Sequence, residues 1–295
     1  MKKTVTAIFV AITLCTLCAT ATVAATTKPK KEKPDLEEIG RKTTDPSSKF
    51  YFKKLRDKFN ENDTLMTPEE FRYYYFGYMF QEDYDPYRES AYAESTDSLL
   101  AVARAKAAKN DSIIKARVSR KESPFEINHL YKEYKEREER EQREIIKKAE
   151  LALKDNPFDL NTMWLYRLVA RDMKKKMLSE ILDFRFAHLI GAIVSTGTGL
   201  DKENAFYVTS PDHEYAVLEV MGYRPVAYDD AYFAEGYDYI LVEPLDPSKK
   251  SASTPQGFFF NIKKPVEEYA RKHPTIYDQT DGDNYDDGGE PIPME

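Results

Sequence analysis

The side chains that could do chemistry are few. Four histidines occur, at positions 129, 188, 213 and 273, and none sits in a His-Glu-x-x-His frame, whereas a catalytic zinc asks for three convergent protein ligands. His188 lies inside an apolar run and reads as a core histidine. His213-Glu214 is more suggestive, because it follows Pro211 at the expected start of a helix beside a strand, where polar groups can gather around a cleft. Ser195 and Asp201 precede that strand, so Ser195, Asp201, His213 and Glu214 make up the candidate site. A hydroxyl, an imidazole and two carboxylates could carry general acid–base hydrolysis if they converged within hydrogen-bonding reach. The bland alternative for His213-Glu214 is helix capping or a surface position. Neither Ser195 nor Ser210 stands in a Gly-x-Ser-x-Gly elbow.

Phosphate and metal chemistry fare worse. Gly197-Thr198-Gly199 resembles part of a phosphate loop, but a phosphate cradle needs strand, glycines and then a helix N-terminus, and here a helix ends and a strand begins. Asp281-Gly282-Asp283 imitates a calcium loop for three residues before Tyr285 and Asp286 break the pattern. No cofactor or metal is expected.

The elements that must position these residues change rhythm once. Asn156-Pro157 breaks a helix, and Leu160, Met163, Trp164 and Leu168 then recur at helical spacing. After Lys174-Lys175-Lys176 a second apolar helix runs through Leu178, Ile181, Leu182, Leu189 and Ile193, which gives an antiparallel hairpin. Gly191 inside it costs about 1 kcal/mol relative to alanine and is expected to admit a close neighbour. Beyond the glycine pair, 205–209, 237–242 and 257–262 read as short strands, and 211–222 reads as an inserted helix stopped by Gly222. The fold class expected is α+β: an N-terminal helical bundle of hairpins, followed by a small antiparallel β-sheet with an inserted helix.

Upstream, Phe50, Phe52, Leu55 and Phe59 open the folded part. Thr67-Pro68-Glu69-Glu70 is a capping box launching a helix crowded with aromatic rings, Tyr73 to Tyr78, with Tyr84 and Tyr87 following. Such rings suit a core; exposed as a patch they would suit a glycan. Residues 91–118 read as one or two alanine-rich helices. Ser123-Pro124-Phe125-Glu126 repeats the capping arrangement before a helix so charged between Lys132 and Lys148 that i,i+4 pairs, not a coiled coil, must support it.

The ends point outside the cell. Lys2 and Lys3 precede an apolar run from Val5 to Leu17 and small residues up to Ala25, so 1–25 is a signal peptide. Cys15 and Cys18, the only cysteines, leave with it, and the leucine before each argues against a lipid anchor. The chain has 44 Lys and Arg against 51 Asp and Glu, net −7, an acidic balance that argues against nucleic-acid binding. Residues 26–46 are expected to be a flexible linker, 47–195 a helical region, 196–273 a small α+β region, possessing a short terminal helix near Pro265, and 274–295 a disordered acidic tail.

Three phrases together resemble the domain of unknown function family 4919, a group of exported bacterial proteins: Tyr75-Phe76-Gly77-Tyr78 leading to Tyr84-Asp85-Pro86-Tyr87; Ser195 to Gly199 leading to Ala205-Phe206; and His213-Glu214-Tyr215 leading to Tyr237-Asp238-Tyr239 and Phe260-Asn261-Ile262. The resemblance implies a periplasmic or secreted setting and brings no catalytic residues. The hairpin also looks like one degenerate tetratricopeptide unit, with Trp164, Phe184 and Ala187 in fitting places and no second copy. The function expected is a non-enzymatic interaction or scaffold module of the cell envelope, with another envelope or secreted protein as partner. The alternatives are a hydrolase-like enzyme at the helix–sheet junction and a small-ligand or glycan binder.

Overall fold

A computed structural model describes residues 31–88, 96–226 and 231–274. The span read as a signal peptide, and the span read as an acidic tail from residue 275 on, lie outside the described residues. Among the described residues seven α-helices precede the first strand: α1 (Leu36–Thr44), α2 (Phe52–Asn60), α3 (Pro68–Gly77), α4 (Thr96–Ser119), α5 (Pro124–Asp155), α6 (Leu160–Asp172) and α7 (Lys176–Val194). The sheet region follows as β1 (Phe206–Tyr207), α8 (Asp212–Met221), β2 (Tyr223–Pro225), β3 (Ala231–Ala234), β4 (Tyr237–Pro244), β5 (Gly257–Asn261) and α9 (Lys263–Lys272). The fold is α+β, helices first and sheet last.

α3 is the axis of the helical part. Its capping box forms: the Thr67 hydroxyl accepts from the Glu70 amide at 3.2 Å, and the Glu70 carboxylate accepts from the Thr67 amide at 2.8 Å. Phe71 and every residue from Tyr73 to Gly77 are buried, because α1, α2 and α7 cover the helix on different sides. The rings pack on one another, Phe50 stacking on Tyr73 at 3.8 Å and Phe52 on Tyr74 at 5.2 Å. With Tyr84 also buried and Tyr87 the one exposed tyrosine of this group, the rings from Tyr73 to Tyr87 offer no patch to a glycan.

Part of the span read as linker is structured. Asp35 caps α1 by accepting from the Glu38 amide at 2.9 Å, and the helix buries Ile39, Gly40 and Thr43 against α3. The approach depends on two glycines: a Cβ on Gly77 would come within 2.5 Å of the Thr43 side chain, and one on Gly40 within 2.7 Å of the Phe80 ring. Close backbone approach lets a single buried isoleucine, Ile39, hold α1 down, so its composition resembled a tether. Gly191 departs from expectation in the opposite sense, since a Cβ there would meet nothing within 4 Å.

α6 and α7 form the expected hairpin, its corner turned by Lys174 at φ 56°. Asp183 accepts from both Arg167 and Arg171 at 3.2 Å, and Trp164 packs on Phe186 at 5.3 Å with the Arg167 guanidinium 3.9 Å from its ring. Ala187 faces outward, so the tetratricopeptide likeness stops at the hairpin. Ser123 makes no cap hydrogen bond at the start of α5, against the sequence reading.

In the sheet, β4 is central. β5 pairs with it antiparallel, Ile240 opposite Phe258, and β2 and β3 share its other edge. Outermost, β1 runs parallel to β5, with Phe206 opposite Phe260, so the expected antiparallel sheet carries one parallel pair. The crossover that makes β1 parallel contains α8, which ends at left-handed Gly222 (φ 85°). β3 and β4 join through Glu235-Gly236, both at positive φ (57° and 80°), the geometry of a two-residue hairpin turn.

Candidate functional site

His213 sits in the first turn of α8 with both ring nitrogens engaged. Nε2 lies 2.8 Å from the carbonyl of Phe158 and so carries the proton; Nδ1 accepts from the Tyr75 hydroxyl at 2.7 Å. That hydroxyl in turn accepts from the Thr209 amide at 3.1 Å. Burial pushes the imidazole down to about 4, so at neutral pH it is uncharged. The chain of bonds ties α3, the α5–α6 turn, the connection after β1 and α8 together. The recess beside it, lined in part by Asp85, Asn156, Asp159 and Asp212, holds about 20 Å³, room for a water and not for a substrate.

Glu214 turns away from its neighbour and toward the sheet. It is 2% exposed, and its carboxyl lies against that of Asp238 on β4. Burial first, and the adjacent acid second, raise Glu214 well above the usual carboxylate range; burial also raises Asp238. Two buried acids in contact hold one proton between them. Glu214 Oε1 has no hydrogen-bond partner among the described residues.

The other two candidates belong elsewhere. The Ser195 hydroxyl accepts from Arg72 Nη1 at 2.5 Å and donates to the Ala192 carbonyl at 2.8 Å, while Arg72 Nη2 reaches the Glu32 carbonyl. Asp201 is consumed in a turn, accepting from the backbone amide and side-chain amide of Asn204, each at 2.8 Å. Each of Ser195, Asp201, His213 and Glu214 therefore has its own partners, and no hydrogen bond links any two of their side chains. Two of the Gly-Thr-Gly amides are spent as well: Thr198 and Gly199 both donate to the Asn204 carbonyl, at 2.8 and 2.7 Å. Gly199 is left-handed (φ 70°), and a Cβ there would strike the Phe206 ring at 2.5 Å. The loop ends α7 and sets the sheet edge. Among the described residues no three His, Cys, Asp or Glu side chains cluster as metal ligands would.

One opening large enough for a ligand lies where sequence reasoning did not look; a second, wider one of about 540 Å³ lies between residues 80–85 and 271–273. A groove of about 310 Å³ lies between the α2–α3 connection and α7, floored by Phe59, Met66 and Phe71 and walled by Met177, Ile181 and Phe184. Phe59, Met66 and Phe71 are almost wholly buried, yet Met177 at its rim is 76% exposed and Leu65 close by in sequence to Met66 is 84% exposed. The guanidinium of Arg185 closes one end, 4.3 Å from the Phe59 ring and bonded to the Phe59 carbonyl at 2.5 Å; burial lowers its pKa. Asp63 and Glu180 make the rim acidic. The available signal was the spacing of Met177, Ile181 and Phe184, a second apolar stripe on a helix already apolar along its core side.

The model of the family described as Domain of unknown function (DUF4919) matches residues 37–134 and 126–271, the two stretches overlapping on α5. No curated protein and no solved structure matches the chain.

Proposed function

We propose, from the premise that this chain belongs to the DUF4919 family, that it works by holding a partner: an exported, non-enzymatic interaction module of the cell envelope. The observation that carries this reading is the apolar groove over Phe59, Met66 and Phe71, with Met177 bare at its rim. Its volume of about 310 Å³ lies at the small end of ligand sites, which run from roughly 300 to 1,000 Å³. Methionine at a rim adapts its shape to an incoming apolar group. The occupant is an apolar side chain of a partner protein, with a basic neighbour to meet Asp63 and Glu180. Export rests on Lys2, Lys3 and the apolar run after them.

The hydrolase alternative receives no support from the separate hydrogen-bond partners of Ser195, Asp201, His213 and Glu214. The test is to place a photo-crosslinking residue at Met177 in cells that make the protein, with Lys250 on the exposed β4–β5 connection as control. A discrete crosslinked product from position 177, none from 250, and its loss with Ile181→Glu are expected. No product from 177, or equal products from both positions, would overturn the proposal.

A further inference from the structure

α4 and α5 form an arm with no core beneath most of its length. The two helices run side by side, with Lys106 at 3.4 Å from Glu141, Asn110 at 3.1 Å from Glu138 and Arg117 at 3.8 Å from Glu126. Among the described side chains from 105 to 145 none is buried; Ile146 is the first buried residue of α5. From Pro124 to Ile145 the helix runs about 33 Å at its usual rise. Such a stalk is held by propensity and by i,i+4 pairs such as Glu133–Arg137 at 3.0 Å.

The end of the arm differs from the stalk. Residues 115–132 carry Lys115, Arg117, Arg120, Lys121 and Lys132 against Glu122 and Glu126, net +3, on a chain whose net charge is −7. The stalk sums to zero, +2 over 104–114 and −2 over 133–144. Within this basic end three apolar side chains stand in solvent: Phe125 at 79% exposure, Val118 at 55% and Tyr131 at 52%. Lys121 is left-handed (φ 56°), which turns the connection tightly enough to bring Val118 and Phe125 to the same end.

We propose that the tip of this arm docks on an anionic lipid surface, with Phe125 and Tyr131 entering the headgroup layer and the basic residues meeting lipid phosphates. Charge complementarity selects this occupant, since the positive tip of an acidic protein is drawn to a negative surface while the body is held off. Area selects it too. Two helices side by side, each about 10 Å across, end in roughly 200 Å², far below the roughly 800 Å² per partner of a stable protein interface. Partition of aromatic side chains into a lipid interface needs no such area, and a ring beside lysines suits that layer. No described helix is long and apolar enough to span a membrane, so the contact is peripheral. This docking is independent of the groove on α7.

The test uses the chain purified in the form its cells accumulate, with vesicles of phosphatidylcholine alone or carrying about one-third phosphatidylglycerol. Wild type is expected to sediment with the anionic vesicles and to lose binding as salt rises. Lys115→Glu with Lys121→Glu should weaken that binding at least about tenfold. The same charge change at Lys249 and Lys250, on the exposed β4–β5 connection, should leave it within about twofold. In Phe125→Trp, emission should shift to the blue on adding anionic vesicles and stay fixed with neutral ones. No preference for anionic vesicles, equal loss with both double variants, an unmoved Phe125→Trp emission, or capture of a protein by the tip without vesicle binding would each overturn the proposal.

Discussion

His213 and Glu214 are neighbours in sequence whose side chains respond to pH with opposite signs. His213 is neutral when folded and is pushed down to about 4, so acidification below the ordinary histidine value protonates the unfolded chain first and stability falls until about pH 4. Glu214 is raised, so the folded chain keeps a proton that the unfolded chain releases, and its contribution is complete at acid pH and lost as pH rises above the ordinary carboxylate value. In the wild type the two slopes oppose each other. Glu214→Gln removes one of them: the variant should be more stable than wild type at pH 7. Its stability should then fall more steeply than that of wild type between pH 6.5 and 4, where the His213 contribution of up to roughly 3 kcal/mol is lost. Urea unfolding across that range checks both; a variant less stable at pH 7 with an unchanged slope would remove Glu214 from this role.

At the scale of elements, two helix positions test the local account with opposite signs. Thr67 forms both halves of its capping box with Glu70, so Thr67→Ala should cost about 1 kcal/mol. Gly191 lies within α7 with open space where a Cβ would stand, so Gly191→Ala should gain about 1 kcal/mol through helix propensity and a less flexible unfolded chain. Thermal or urea unfolding reads both, and a destabilised Gly191→Ala would mean that α7 has a neighbour at this face.

At the scale of the molecule, one core runs from Ile39 in α1 to Ile262 after β5, and the outer arm adds nothing to it. Replacing residues 111–137, between the Asn110–Glu138 pair, with a short Gly-Ser turn should leave the melting temperature within about 3 °C of wild type. The same deletion should abolish binding to anionic vesicles. A drop in melting temperature well beyond that margin would show that the arm supports the fold.

What the sequence determined by itself were the features written in short-range chemistry. The capping box at Thr67, the hairpin turned near Lys174, the Gly222 stop and the alternation of Phe258, Phe260 and Ile262 each depend on residues within a few positions of one another. Burial of the Tyr73–Tyr78 rings was legible as the stronger reading, because so much apolar area on one short helix is costly to expose. Tertiary structure alone decided what depends on distant backbone. α1 docks through Gly40 and Gly77, which carry no hydrophobic signal, and β3 turns through Glu235-Gly236, which is a weak hairpin signal. The candidate site dispersed for the same reason. Adjacent positions on the first turn of a helix point about 100° apart, so His213 faces α3 and Phe158 while Glu214 faces β4. The groove is assembled from α2, the connection after it and α7, segments more than a hundred residues apart, and no local pattern could bring their rims together.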